Sequence, residues 1–229
     1  FLIVPKYDDI TRFRENLAGV QIKGKWGFID QNDTIIIHPK YDDVSRFAYG
    51  IAAVKIKNKW GFINKKGKLI INPTYEDSYC FYSKEYPLKS DLILCPVKYK
   101  GKWGLINDKN QFIVKPIYKE ALGFLDDLIA VCNDDDLWGY VDKKGMLIIK
   151  HQFSKAREFT VYNDGIASVQ VGGDTGKWGY INKTGEFLLY PQYDNTWDFK
   201  NGIARVQIGE NFYLIDKNGN YIFNPENYK

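Results

Sequence analysis

The chain has 229 residues, 45% apolar and 26% charged, which is enough to build a packed core and too apolar for a disordered chain. Its 32 basic and 28 acidic side chains are interspersed and leave a net charge of +4 at pH 7, so no concentrated basic face for nucleic acid is expected, and no run of 18 apolar residues offers a membrane span. Three cysteines (Cys80, Cys95, Cys132) and two histidines (His38, His151) make no disulfide framework, zinc pattern or histidine relay, so neither a metal nor a cofactor is expected.

The chain opens at Phe1 rather than methionine and reads as a processed or excised piece; a removed signal peptide would make it secreted or envelope-bound, and the compartment is otherwise open. Residues 1–13 form a half-unit with Pro5, Tyr7 and Phe13. Six fuller units follow, with cores at about 20–47, 54–81, 97–124, 131–159, 169–199 and 206–229, so the whole chain, 1–229, is one repeat array. Each unit carries an aromatic followed, in five of six, by glycine: Trp26, Trp60, Trp103, Trp138, Trp178 and, without the glycine, Phe212. Thirteen residues after each comes Pro39, Pro73, Pro116, His151, Pro191 or Pro225, and eight further on Phe47, Phe81, Phe124, Phe159 or Phe199. Length varies only between that phenylalanine and the next tryptophan, as expected of surface loops.

Within a unit the first segment alternates (GVQIKGKW, AAVKIKNKW), with Val20, Val54, Val97, Val169 and Val206 on its inward face. A short turn leads into the tryptophan strand, which ends at Asp30, Asn64, Asn107, Asp142, Asn182 or Asp216. Three residues later stands Asp33, Gly67, Asn110, Gly145, Gly185 or Gly219, the residue types that accept positive φ and close a hairpin. An apolar strand follows and is expected to stop at the proline. The unit is therefore a three-strand meander plus a short fourth segment, P-x-Y-[DE]-x-x-x-x-F, and the fold class is all-β.

One ring per repeat at a fixed register is how a repeat protein builds a continuous core, so the six aromatics are assigned to structure. The glycine beside each tryptophan admits a neighbouring strand or ring. Two architectures fit: a β-propeller, favoured because the N-terminus supplies an orphan half-unit that could complete a sheet, and an open β-solenoid, which fits the C-terminal unit carrying its own third strand.

These motifs, KWG-Φ-[IV]-[DN], then P-x-Y-[DE], then F-x-x-G-x-A-x-V (clearest at 47–54 and 199–206), resemble the WG-repeat, or KWG-repeat, family of bacterial proteins. The resemblance covers essentially the full chain, with departures at Phe212-Tyr213 and at His151-Gln152-Phe153. It implies a β-rich interaction module, often attached to other domains, and brings no catalytic residues with it.

Recognition is then expected where copies differ. The third unit inserts a tyrosine-rich stretch with Tyr79, Tyr82 and Tyr86, and Trp197 is the lone tryptophan outside the repeated position, its counterparts being Thr11, Ser45, Tyr79, Leu122 and Arg157. The acidic run Asn133–Asp136 lacks calcium-loop spacing and is expected to be a hairpin tip, and both histidines are expected at strand ends. The expected function is a non-enzymatic scaffold binding another macromolecule, a protein first; the alternative is a carbohydrate or cell-envelope binder using exposed aromatics. Nothing in the sequence supports an enzyme.

Overall fold

The computed structural model describes residues 6–78, 94–123, 127–159 and 163–223, and every regular element among them is a β-strand. The strands form six antiparallel four-stranded sheets, each a meander of consecutive strands. The first sheet consists of Asp9–Ile10, Leu17–Ile22, Lys25–Asp30 and Ile35–Tyr41. The others span 43–75, 77–118, 120–153, 155–193 and 195–223. The chain divides into two compact units, Phe1–Pro116 and Ile117–Lys229. Sheets one to three belong to the first, apart from the last two residues of sheet three, and sheets four to six to the second.

The sheets are out of phase with the sequence units. The two residues after P-x-Y-[DE] (Asp43–Val44, for example) pair with the alternating strand that follows, Asp43 opposite Lys55 and Val44 opposite Val54. The acidic residue of the motif ties one sheet to the next. Asp42 accepts the Lys57 amide at 2.8 Å and pairs with Lys25 of the preceding tryptophan strand at 2.6 Å. Asp194 does the same with the Gly209 amide (2.7 Å) and Lys177. The lysine of KWG and the acid of P-x-Y-[DE] are thus one structural device.

The hairpin turns follow the sequence closely. Asp30 accepts backbone amides from Asn32 and Thr34, each at 2.9 Å, and Asn64, Asn107, Asp142, Asn182 and Asp216 repeat the pattern. Asp33, Gly67, Asn110, Gly145, Gly185 and Gly219 all have positive φ, between 61° and 89°.

The proline does not end its strand. It lies inside the outer strand, where the register slips: Trp60 pairs with Tyr75 but Phe62 with Ile71, so the outer strand bulges over the residue between. That residue is Gly61, and a Cβ on it would sit 2.6 Å from the Ile71 carbonyl oxygen and 2.7 Å from the Pro73 nitrogen. A proline is tolerated here because the strand is at the sheet edge and the bulge needs no amide donor. His38 and His151 accordingly lie within their strands, Ile35–Tyr41 and Leu147–Phe153, not at the ends.

Each sheet has two faces. Within each unit the leading face of a sheet packs on the trailing face of the sheet that follows: Leu17, Phe28, Ile37 and Tyr41 of sheet one meet Val44, Ala52, Val54 and Ile63 of sheet two. In the second unit, Trp178, Tyr180, Leu189 and Tyr193 of sheet five meet Ala204, Val206, Tyr213 and Ile215 of sheet six. Burial on this scale is the main force holding the array together. The tyrosine of P-x-Y adds a directional link, since the Tyr75 hydroxyl donates to Asn110 at 2.6 Å and Tyr7 donates to Asp33. Where the turn residue is Gly67, no side chain can accept, and the buried Tyr41 hydroxyl has no partner among the described residues.

Candidate binding surface

The structure sorts the repeated aromatics into three groups. Trp103 and Trp178 are buried, at 5% and 9% exposure. Trp26, Trp60 and Trp138 are half-buried at the rim of the packing between sheets, and the fully enclosed rings are those two residues later, such as Phe28, Phe62 and Tyr140. Phe212 is 45% exposed and is not a core residue: it stands on the leading face of sheet six, opposite the face that packs on sheet five. Tyr79, Tyr82 and Tyr86 lie outside the described residues.

Trp197 follows the short first strand of sheet six. Its amide donates to the Arg205 carbonyl at 3.0 Å, and its own carbonyl accepts the Tyr180 hydroxyl at 2.8 Å. Burial pushes the Tyr180 phenol well above its ordinary range, so it serves as a neutral donor. The half-buried indole packs under the Arg205 guanidinium, 3.8 Å from its centroid, and edge-on to Phe212 at 5.8 Å.

The position occupied by Trp197 behaves differently in the two units. In the first, the hydroxyls of Thr11 and Ser45 each accept an amide of their own sheet, from Gly19 and Ala53, both at 2.8 Å. In the second, Leu122, Arg157 and Trp197 line a cleft of about 280 Å³ together with Glu158 and Asp198. Arg157 is committed within it: it bonds the Thr196 carbonyl, donates to Asn195 at 2.9 Å and lies 4.7 Å over Trp178. Glu158 accepts the Gly123 amide at 3.2 Å. Sequence reasoning marked this position as lacking a fixed packing demand, but nothing in one repeat shows that three copies share a cleft.

The remaining chemical candidates are structural. Burial raises the Cys132 thiol to about 11, away from thiolate reactivity, and Cys95 is buried beside Ser78 at 3.3 Å. Asn133 closes its acidic hairpin as an Asx turn, with Asp136 at φ 61°. Burial lowers the His151 pKa. Among the described residues no group of three His, Cys, Asp or Glu side chains could hold a metal ion, and no helix is long and apolar enough to cross a membrane.

Solved structures similar to the chain share its fold. A computationally designed protein, Ika8, superposes with a TM-score of 0.53 at 13% identity, over 94% of this chain and 73% of that one. BamB from Moraxella catarrhalis, a β-propeller, gives 0.51 at 11%, over 91% and 72%. Hsv2 of Kluyveromyces lactis gives 0.50 at 10%, over 97% and 78%. No curated protein sequence matches the chain. At these identities the likeness is one of fold alone, and the chain is a propeller-like all-β repeat protein. The model of the WG containing repeat matches residues 1–26, 26–60, 60–103, 103–135, 138–173 and 178–212, in step with the recurring tryptophan, glycine and Asx-turn positions, and the chain belongs to that family.

Proposed function

We propose that the chain is a non-enzymatic repeat scaffold that binds another protein, with recognition centred on Trp197 and the non-repeating surface around it. The observation that carries this reading is a division of labour among side chains. The repeated polar residues (Asp42, Asp194, Asn64, Asn182) are spent on hydrogen bonds inside the array. Trp197, a type favoured at binding hot spots, is instead held by its backbone and leaves its ring half-exposed beside Arg205, another favoured type. A sugar platform needs an open ring face, and the face of Trp197 under Arg205 is already covered, which favours a protein partner over a glycan.

Panning a phage-displayed random peptide library on the immobilised protein, beside a glycan array, tests the reading. Enriched peptide families that lose binding to Trp197→Ala are expected. Glycan hits without peptide enrichment would replace this reading with the carbohydrate one.

A further inference from the structure

The leading face of sheet six differs from its counterparts in one decisive residue. At the place preceding the inward valine the other sheets carry Gly19, Ala53, Pro96, Ala130 and Ser168, all buried, and sheet six carries Arg205, which is exposed. The small size has a reason where it can be read. A Cβ on Gly19 would lie 3.0 Å from the Val44 methyl of the following sheet and 3.2 Å from Thr11. A guanidinium side chain at this register removes the room a following sheet of the same kind occupies elsewhere.

Arg205 is also pre-arranged. Its guanidinium carbon lies 3.8 Å from the Trp197 centroid and 5.2 Å from that of Phe212, so two rings hold the group against the sheet. No hydrogen bond or ion pair engages its N–H donors among the described residues. Around it stand Ile203, Phe212 and Leu214, at 40%, 45% and 36% exposure. A planar cation with its donors unspent, ringed by apolar side chains, is complementary to a carboxylate with an apolar neighbour, which it can take bidentately.

We propose that the leading face of sheet six is a peptide-docking surface whose occupant is an extended protein segment bearing a carboxylate flanked by an apolar or aromatic side chain, with the acid on Arg205 and the apolar group on Phe212 and Leu214. The proposal rests on the protein-binding reading above and names the surface and the partner chemistry. A second copy of the chain and a further repeat are the competing occupants, and Arg205 opposes the second of these.

The test measures fluorescence anisotropy of the whole chain with synthetic peptides that alternate Leu or Phe with Asp or Glu, each paired with its Asn/Gln twin. Binding by the acidic set, weakened at least tenfold in the amide twins and in Arg205→Gln, is the expected result. Arg205→Lys should recover only part of it, since a single ammonium cannot replace the fork. A Met146→Ala variant, altered at an exposed residue of sheet four and not on this face, should bind normally. Binding that is indifferent to Arg205→Gln overturns this surface while the protein-binding reading stands. Acidic and amide peptides binding equally well overturn the partner chemistry. If no peptide of either set binds while library panning enriches others, this proposal fails alone; if panning also fails, both readings fall. Concentration-dependent dimerisation, seen by sedimentation and abolished by Phe212→Asp, would assign the face to a second copy and overturn the proposal.

Discussion

Sheets five and six share a strand plan and differ in what their leading faces meet. Ile166, Ser168, Trp178, Tyr180 and Leu189 of sheet five are 1–9% exposed. Their counterparts in sheet six are Ile203, Arg205, Phe212, Leu214 and Phe223, whose four apolar members are 36–45% exposed. The same backbone register therefore serves as an interior in one sheet and as a surface in the next. Residue identity follows suit: a small residue and a tryptophan inside, an arginine and a phenylalanine outside.

The sharpest way to break this comparison is truncation at one register. Tyr180→Ala should cost about 3–5 kcal/mol, the range for emptying a large aromatic site in a core. Leu214→Ala should cost about 1 kcal/mol or less, because its site is already wet. Urea unfolding of both variants checks this, and equal losses would mean that the sixth face is covered in solution.

Next comes the glycine. A Cβ at residue 179 would sit 2.6 Å from the Leu189 carbonyl oxygen and 2.8 Å from the Pro191 nitrogen, so Gly179→Ala should destabilise by about 2–3 kcal/mol. Position 213, which carries tyrosine, faces an outer strand described only from Tyr221 to Phe223. Thermal melts that show Gly179→Ala to be neutral would remove the bulge as the reason for the Trp-Gly pair.

A smaller effect separates the turns. The Asn220 side chain, followed by backbone amides of the turn, holds the Asp216 carboxyl below its ordinary range. The stability this contributes is complete above the unfolded aspartate value of about 3.9 and is lost as pH falls through the lower folded value. Asp216→Asn, which copies Asn64, Asn107 and Asn182, should flatten that acid limb of the urea midpoint against pH. An unchanged limb would place the acid sensitivity elsewhere.

The smallest expected change is Arg205→Gln, within about 0.5 kcal/mol of wild-type stability, since an exposed group away from the packing contributes little. A loss much beyond 1 kcal/mol in denaturant titration would make Arg205 a clip for Trp197 rather than a contact group.

Much of this was legible in one sequence because the repeats compare a position with itself. Asp30, Asn64 and their equivalents announced tight hairpin turns, and Asp33, Gly67 and Asn110 the left-handed residues that close them, since few residue types meet those demands. Val20 and Val54 announced the buried face by alternation. The phase of the sheets was hidden, because a two-residue strand such as Asp43–Val44 is too short to show a period. The proline looked like a stop signal because a bulge is a feature of two paired strands, invisible in either one alone. The cleft beside Trp197 was hidden for a related reason: Leu122, Arg157 and Trp197 share no chemistry, only a place.

The outer strands have a further consequence. Each is a sheet edge, and several expose neighbouring apolar side chains, such as Ile35 and Ile36 or Leu69 and Ile70. An open margin of that kind is a template on which another chain can grow a strand. Pro39, Pro73, Pro116 and Pro191, lacking an amide hydrogen, interrupt that template within the strand. Sheet four has His151 there instead, beyond the exposed run Met146, Leu147 and Ile148. Fibrous self-assembly of a partly melted molecule would meet least resistance along that margin, so the prolines guard solubility as well as shaping the sheet.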